Sequence, residues 1–341
     1  MPTPVSDTPP FRPRPLRILG TGAALPSEEV TSAALDLQLG LRPGTVEKKT
    51  GVRRRYFETE RSAAVLGAEA ARRALADAGL AFSEIDCLVA ASGTPDQAMP
   101  ANAALLHREL APGAHAIPAF DIGASCLGFL VALDTIACLI DAGRYRRVLI
   151  VASDIASCGL DWSCLEASGI FGDGAAAVVV GPAEGTESAL LASAIATYSE
   201  GAHFCEIPGG GSRHHPDRIT EPFLPLARFR MDGKAVFRLA AERLPGFLKD
   251  LLAAAGLGIE DLSVVVPHQA SRHALEYLRR QLGVKREKIV DLFAEQGNQV
   301  AASLPSALDA AIRSGRLRRG EKALLVGSGA GVCLGGAILC Y

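Results

Sequence analysis

Short runs of β-branched and other apolar residues alternate along this chain with longer Ala- and Leu-rich stretches of helical period. The short runs predict strands at Arg17–Gly20, Cys87–Ala91, Ala119–Ile122, Val148–Ala152, Ala176–Val180, Val264–Val266, Lys288–Leu292, Ala323–Val326 and Gly336–Leu339. The longer stretches predict helices over Ala63–Ala78, Leu127–Ala142, Leu239–Ala255, Arg272–Leu282 and Ser303–Ser314, each ending near Gly or a basic residue. Alternation of this kind argues for layered α/β architecture. Ile122 to Ile140 carries a single charge, Asp134, and is apolar enough to mimic a membrane span. It opens with Gly, Ala and Ser directly after a strand-like run, so it reads as a helix buried on all sides.

The pattern repeats. Ile117–Ile122, Cys126, a long helix, Ala142-Gly143-Arg144 and the strand Val148–Ala152 form one copy. Lys288–Phe293, Asn298, a long helix, Ser314-Gly315-Arg316 and the strand Ala323–Val326 form the other. Cys126 stands 17 residues before Gly143, and Asn298 stands 17 before Gly315. Two copies of one strand–turn–helix–strand unit place Cys126 and Asn298 at equivalent helix N-termini, which would face one cleft across a pseudo-twofold axis. The expected division is an N-terminal half over 15–182 and a C-terminal half over 183–341. Residues 1–14 are proline-rich, lack the apolar core of a secretory signal, and read as a flexible arm.

Composition narrows the function without choosing it. In 341 residues, 49% hydrophobic and 21% charged, there is ample material for a core. A net charge of −2 gives no basic footprint for nucleic acid or an acidic membrane surface. The eight cysteines are scattered without a CxxC pair and mostly sit in apolar stretches, the habit of reduced cytoplasmic thiols. No metal site is expected.

Three residues stand where chemistry is usually placed. Cys126, in Asp121-Ile-Gly-Ala-Ser-Cys-Leu-Gly-Phe129, follows a strand and opens an apolar helix. Unsatisfied N–H groups and the partial positive charge there would stabilise a thiolate, lower the thiol pKa and offer an oxyanion hole. A buried structural cysteine is the alternative. His268, in Val264-Val-Val-Pro-His-Gln-Ala-Ser271, sits at the carboxyl end of a buried strand, where α/β sheets keep reactive groups. Asn298, in Glu295-Gln-Gly-Asn-Gln-Val-Ala-Ala-Ser303, would on its own be an N-cap.

Together these segments resemble the β-ketoacyl-ACP synthase III branch of the thiolase-fold condensing enzymes. The resemblance runs through Gly20-Thr-Gly-Ala-Ala-Leu-Pro26, Lys49-Thr-Gly-Val-Arg53, the cysteine segment and Phe171-Gly-Asp-Gly-Ala175. It continues through Pro267-His-Gln-Ala270, Gly297-Asn298 with Ala301-Ala-Ser-Leu-Pro305, and Gly327-Ser-Gly-Ala-Gly331. It implies an α/β thiolase fold, with duplicated halves packed as a five-layered αβαβα sandwich, in a cytoplasmic homodimer. It also implies a nucleophilic Cys126 that takes an acyl group from acyl-CoA or acyl-ACP. His268 and Asn298 would donate hydrogen bonds to the thioester oxygen of malonyl-ACP during a decarboxylating Claisen condensation. Gly329-Ala330-Gly331 would complete an oxyanion hole with the Cys126 N–H. Acyl carrier protein is the implied partner and no cofactor is implied.

The chain departs from that pattern in several places. Thr45 and Leu165 stand where CoA-using members carry a tryptophan and an arginine around the adenine. Ser328 replaces an aromatic residue, and Ser271 replaces the asparagine of PHQAN. Ser328 and its GSGAG loop look more like the branch that condenses two acyl thioesters head to head. That branch carries a glutamate base where this chain has Met99, which is expected to shape an acyl pocket, across a dimer interface. Arg272 and His273 follow the histidine loop and are candidates for carrier docking. Gly20-Thr-Gly-Ala-Ala-Leu25 lacks the third glycine of a dinucleotide loop, and Gly123-Ala-Ser-Cys-Leu127 fails the nucleophile-elbow pattern. Transfer of the acyl group to an alcohol or amine, with His268 as base, is a rival reading. A non-catalytic partner subunit is another, opposed by the presence of all three site residues.

Overall fold

The computed structural model describes residues 11–111, 113 and 115–341. Ten strands make its two large sheets. They are β1 (Arg14–Pro15), β2 (Arg17–Ala24), β3 (Cys87–Ala90), β4 (Ala119–Asp121), β5 (Val148–Asp154) and β6 (Gly174–Gly181), then β7 (Ala189–Thr197), β8 (Val264–Pro267), β9 (Lys322–Gly329) and β10 (Cys333–Cys340). Six helices cover them: α1 (Ala63–Ala78), α2 (Asn102–Leu110), α3 (Gly128–Asp141), α4 (Gly233–Ala255), α5 (Arg272–Leu282) and α6 (Ser303–Arg313).

The first sheet runs β2-β6-β5-β3-β4 and the second β1-β7-β10-β9-β8. Leaving β1 aside, both begin with two antiparallel pairings and continue with a parallel one, so the duplication seen in the sequence is structural. α1 and α2 pack on the outer face of the first sheet, α3 and α6 fill the space between the sheets, and α4 and α5 cover the second. That is the five-layered sandwich. The central layer explains the apolar stretch that looked like a membrane span. Leu130, Leu133 and Ile136 of α3 and Leu304 and Leu308 of α6 are fully buried between Ile150, Val178 and Leu325. No helix among the described residues is long and apolar enough to cross a membrane.

Three expectations change in detail. The strand over Lys288–Leu292 is reduced to one bridge, Val265 with Ile289. The Gln269 side chain takes over the rest, donating from Nε2 to the Val290 carbonyl at 3.1 Å and accepting from the Leu292 N–H at 2.8 Å. α4 starts six residues earlier than expected because Asp232 caps it, accepting from the Ala235 N–H at 2.9 Å. Of the expected flexible arm, residues 1–10 lie outside the described residues. Its end is tied down: Arg14 pairs with Leu190 in the second sheet and donates to Asp134 on α3 at 2.6 Å.

Candidate active site

Cys126 occupies the middle of a single 3-10 turn, Ser125–Leu127, that leads into α3. Ser125 has φ of +49°, so the chain turns sharply between strand and helix. The helix can start this close to β3 because residue 128 is glycine; a Cβ there would lie 2.4 Å from the Ala91 carbonyl oxygen. Cys126 is half-buried and packs among Val52, Phe171, Leu275 and Val300, with Trp162, Phe229 and Met231 at the edge.

The expected low thiol pKa is not what this environment gives. Burial pushes the Cys126 thiol above its ordinary value, and Cys205, Asp154 and Cys333 push the same way. The helix-end charge falls off within a turn, and here the loss of water around the sulfur outweighs it. At neutral pH Cys126 is therefore a neutral thiol.

His268 follows β8 directly, its N–H donating to the Val326 carbonyl at 2.8 Å. The ring is 4% exposed and its Nδ1 is buried without a hydrogen-bond partner among the described residues. Burial alone lowers its pKa to about 4, so the imidazole is neutral at neutral pH. It lines a cavity of about 60 Å³ with Phe237, Ala274, Tyr277 and Ser328. Gly327 lies between His268 and the cysteine turn: a Cβ there would sit 2.6 Å from His268 Cβ and 3.1 Å from Leu127 Cδ2.

Asn298 is 5% exposed and lies in an extended segment bridged to Phe171. Its N–H donates to Ile170 at 2.8 Å, and its carbonyl accepts from Gly172 at 3.1 Å. Counted from Gly143 and Gly315, both left-handed, Cys126 and Asn298 are equivalent. The turn that opens α6, Val300–Ala302, nevertheless starts only 15 residues before its glycine, against 18 for Ser125–Leu127. Asn298 therefore precedes its helix instead of standing in the opening turn, because its backbone is drawn into the bridge with Phe171. The two turns pack on each other, and β9 packs on the cysteine turn. Cys126, His268 and Asn298 thus come from both halves to one place.

Gly329 closes β9, and a Cβ on it would lie 3.3 Å from Leu127 Cγ and 3.5 Å from the Ala124 carbonyl oxygen, so this residue abuts the cysteine turn. Ala330 and Gly331 form the loop to β10, with Gly331 at φ +124° in open space. Met99 is not brought into the site within one chain; its side chain is 82% exposed. It lies on the loop bordering a second cavity of about 420 Å³, lined by Ser92, Gly93, Asn102 and Ser125. Arg272 and His273 are exposed at the start of α5, with Arg272 Nη2 donating to the Lys48 carbonyl at 3.3 Å. Sequence reasoning passed over Asp154, although a carboxylate ending an otherwise apolar strand was visible.

The chain matches the family model for 3-oxoacyl-[acyl-carrier-protein] synthase III over residues 120–199, and its C-terminal model over 252–341. Beta-ketoacyl-[acyl-carrier-protein] synthase III of Rhizorhabdus wittichii is 35% identical over 327 residues, covering 95% of this chain and 98% of that protein. The crystal structure of 3-oxoacyl-(acyl carrier protein) synthase III from Pseudomonas aeruginosa superimposes with a TM-score of 0.86 at 33% identity, over 96% of this chain and 98% of that one. The priming β-ketosynthase of the R1128 polyketide pathway gives 0.84 at 31%, over 97% and 98%. The fold and these likenesses define a condensing enzyme of the thiolase fold, in the acyltransferase class. The chain belongs to the β-ketoacyl-ACP synthase III family.

Proposed function

We propose that Cys126 is the nucleophile of a decarboxylating Claisen condensation and that His268 and Asn298 stabilise the enolate. The thiol proton leaves, sulfur attacks the carbonyl carbon of an acyl thioester, and the carrier thiol departs with a proton. Malonyl-ACP follows. Its carboxylate carbon–carbon bond breaks, CO₂ leaves, and the electron pair becomes an enolate whose oxygen faces His268 and Asn298. The enolate carbon attacks the acyl carbon, the bond to Cys126 breaks, and a 3-ketoacyl thioester results. The thioester carbonyl is itself the electron sink, so the reaction calls for no cofactor.

The observation that carries this division of labour is His268: neutral, buried, and with its Nδ1 unpartnered among the described residues. A histidine of that kind suits a fixed hydrogen-bond donor better than one member of a Cys–His–carboxylate relay. The Gly329–Gly331 loop and the Cys126 N–H would hold the acyl oxygen. Met99, exposed beside the larger cavity, would border the acyl pocket of a partner subunit in a homodimer, and Arg272 with His273 would receive an acidic acyl carrier protein. Residues 15–182 and 183–341 act as the two halves, and the setting is cytoplasmic fatty-acid or polyketide synthesis. The test is intact-mass analysis after mixing the protein with acyl-CoAs and acyl-ACPs, followed by malonyl-ACP. A mass gain mapping to Cys126, discharged only when malonyl-ACP is added, is the expected result. Discharge to an alcohol or amine without malonyl-ACP would favour acyl transfer instead.

A further inference from the structure

Asp154, the last residue of β5, is completely buried. Its Oδ1 accepts from the Gly93 N–H at 2.7 Å, the Thr94 N–H at 2.8 Å and Thr94 Oγ1 at 2.9 Å, all in the N-terminal half. Its Oδ2 accepts from the Ala302 N–H at 3.1 Å, in the C-terminal half. The carboxylate is therefore a clasp between the loop beside the cysteine turn and the turn that follows Asn298. These segments meet closely. A Cβ on Gly93 would lie 2.6 Å from Val300 Cγ1 and 3.5 Å from both Asp154 Oδ1 and the Ser125 carbonyl carbon.

Val300 is held at φ +52°, a conformation that a β-branched residue keeps only when its neighbours enforce it. Two hydrogen bonds do so here, from Val300 N–H to Asn298 Oδ1 on one side and from Ala302 N–H to Asp154 on the other. We propose that Asp154 is a positioning residue that fixes the Asn298–Ala302 segment in register with the cysteine turn. The inference rests on the roles proposed above for Cys126 and Asn298. Burial raises the Asp154 carboxyl to about 6, against the opposing pull of its hydrogen bonds, so it is an anion at neutral pH and one of the groups disfavouring a thiolate at Cys126.

Asp154→Asn tests this by chemistry at a single atom. The amide oxygen can still accept from Gly93 and Thr94, but the amide NH₂ then meets the Ala302 N–H, donor against donor. Acylation of Cys126 should stay within about threefold of wild type while condensation falls about 10- to 100-fold, the usual cost of displacing a reacting group slightly. Loss of the buried charge should also shift the pH profile of Cys126 alkylation, read by peptide mapping, about one unit lower. The Cys205 and Cys333 thiols, which also act on that sulfur once ionised, are unchanged in the variant. A residue that merely supports the fold would lower the melting temperature without moving that profile.

Thr94→Val, which removes one of three donors to Asp154 Oδ1 and the acceptor of the Ile155 N–H, all on the N-terminal side, should leave the ratio of the two steps unchanged. A split there like that of Asp154→Asn would overturn the assignment. So would wild-type condensation in Asp154→Asn, or a parallel fall in both steps with an unmoved alkylation profile. If Asp154→Asn does not fold, Asp154→Glu decides. Compared with wild type, it keeps the charge but lengthens the side chain and should also lower the ratio of condensation to loading; a ratio equal to wild type overturns the assignment. Alkylation does not depend on the acyl chemistry, so a wild type that never acylates at Cys126 would sink the proposed function while the alkylation profile still tests Asp154.

Discussion

Asn298 Oδ1 accepts a hydrogen bond from the Val300 N–H at 2.9 Å, so the residue's own backbone fixes which way its amide faces. The oxygen is committed, so the NH₂ group is the part of the amide left to act as donor. An asparagine held this way can donate to an oxyanion but cannot take a proton at neutral pH.

Asn298→Asp and Asn298→Ala separate those features. Aspartate keeps the acceptor for Val300 and loses the donor; alanine loses both. Both variants should acylate Cys126 with normal amplitude and lose condensation by ~10²–10³, the cost of one oxyanion donor. His268→Ala should behave likewise. Rapid-quench measurement of acyl-enzyme and ketoacyl product distinguishes the steps. Failure of His268→Ala to acylate would make the histidine the base that activates Cys126.

Cys126→Ala should abolish acyl loading and leave the fold intact. The sulfur is half-buried at the edge of its cluster, so its removal opens little void. Circular dichroism and a melting curve near wild type, with no acyl mass gain, are the expected outcome. An adduct surviving in the variant, on Cys205 or Cys333, would refute the assignment.

The buried imidazole also links stability to pH. His268 titrates near 6.5 when free and near 4 in the fold, so between those values the unfolded chain binds the proton more readily. The stability conferred by burying the neutral ring is full above about pH 6.5 and is lost as pH falls through 4. Its size is on the order of 3 kcal/mol. Asp154 and Asp173, both raised by burial to about 6, work in the opposite sense over the same range. The comparison is therefore wild type against His268→Asn: urea midpoints at pH 7 and 4.5 should fall less in the variant. An equal fall would mean that the ring does not titrate as its burial dictates.

What was legible in the sequence was what is encoded locally. α1 and α5 fall where expected because Ser62 and Ser271 cap their first turns and the left-handed Gly79 and Gly283 end them. α2 was missed because its cap is remote: Asp121 accepts from the Asn102 and Ala103 N–H groups, both at 2.8 Å, from nearly twenty residues away. The same limit applies to the site. Position beside a strand or helix end made Cys126, His268 and Asn298 candidates, and the family resemblance joined them into one expected site. The upward shift of the Cys126 thiol and the junction at Asp154 depend on groups that meet only when both halves are assembled.

The choice of acyl donor turns on Thr45 and Leu165, which the resemblance aligns with the adenine-stacking pair of CoA-using members. Thr45 opens a short helix and its hydroxyl donates to the Arg42 carbonyl at 2.6 Å, so it is turned onto its own backbone. Leu165 opens another short helix, packed against the first and half-buried near Gly169. Neither offers an aromatic face or a planar cation to an adenine. Trp162 is nearby, but its ring packs on Phe57, with centroids 6.1 Å apart and planes tilted by 60°. Stacking on a base is worth roughly 1–3 kcal/mol, or about five- to more than a hundredfold in affinity. The pantetheine arm is common to CoA and carrier protein, so this loss should fall on CoA substrates alone. For acyl groups of equal length, kcat/KM should favour acyl-ACP over acyl-CoA. Leu165→Arg with Thr45→Trp should raise the value for acyl-CoA and leave that for acyl-ACP unchanged. Equal or better use of short acyl-CoA by the wild type would sink the prediction and point to Trp162, released from Phe57, as the adenine's partner.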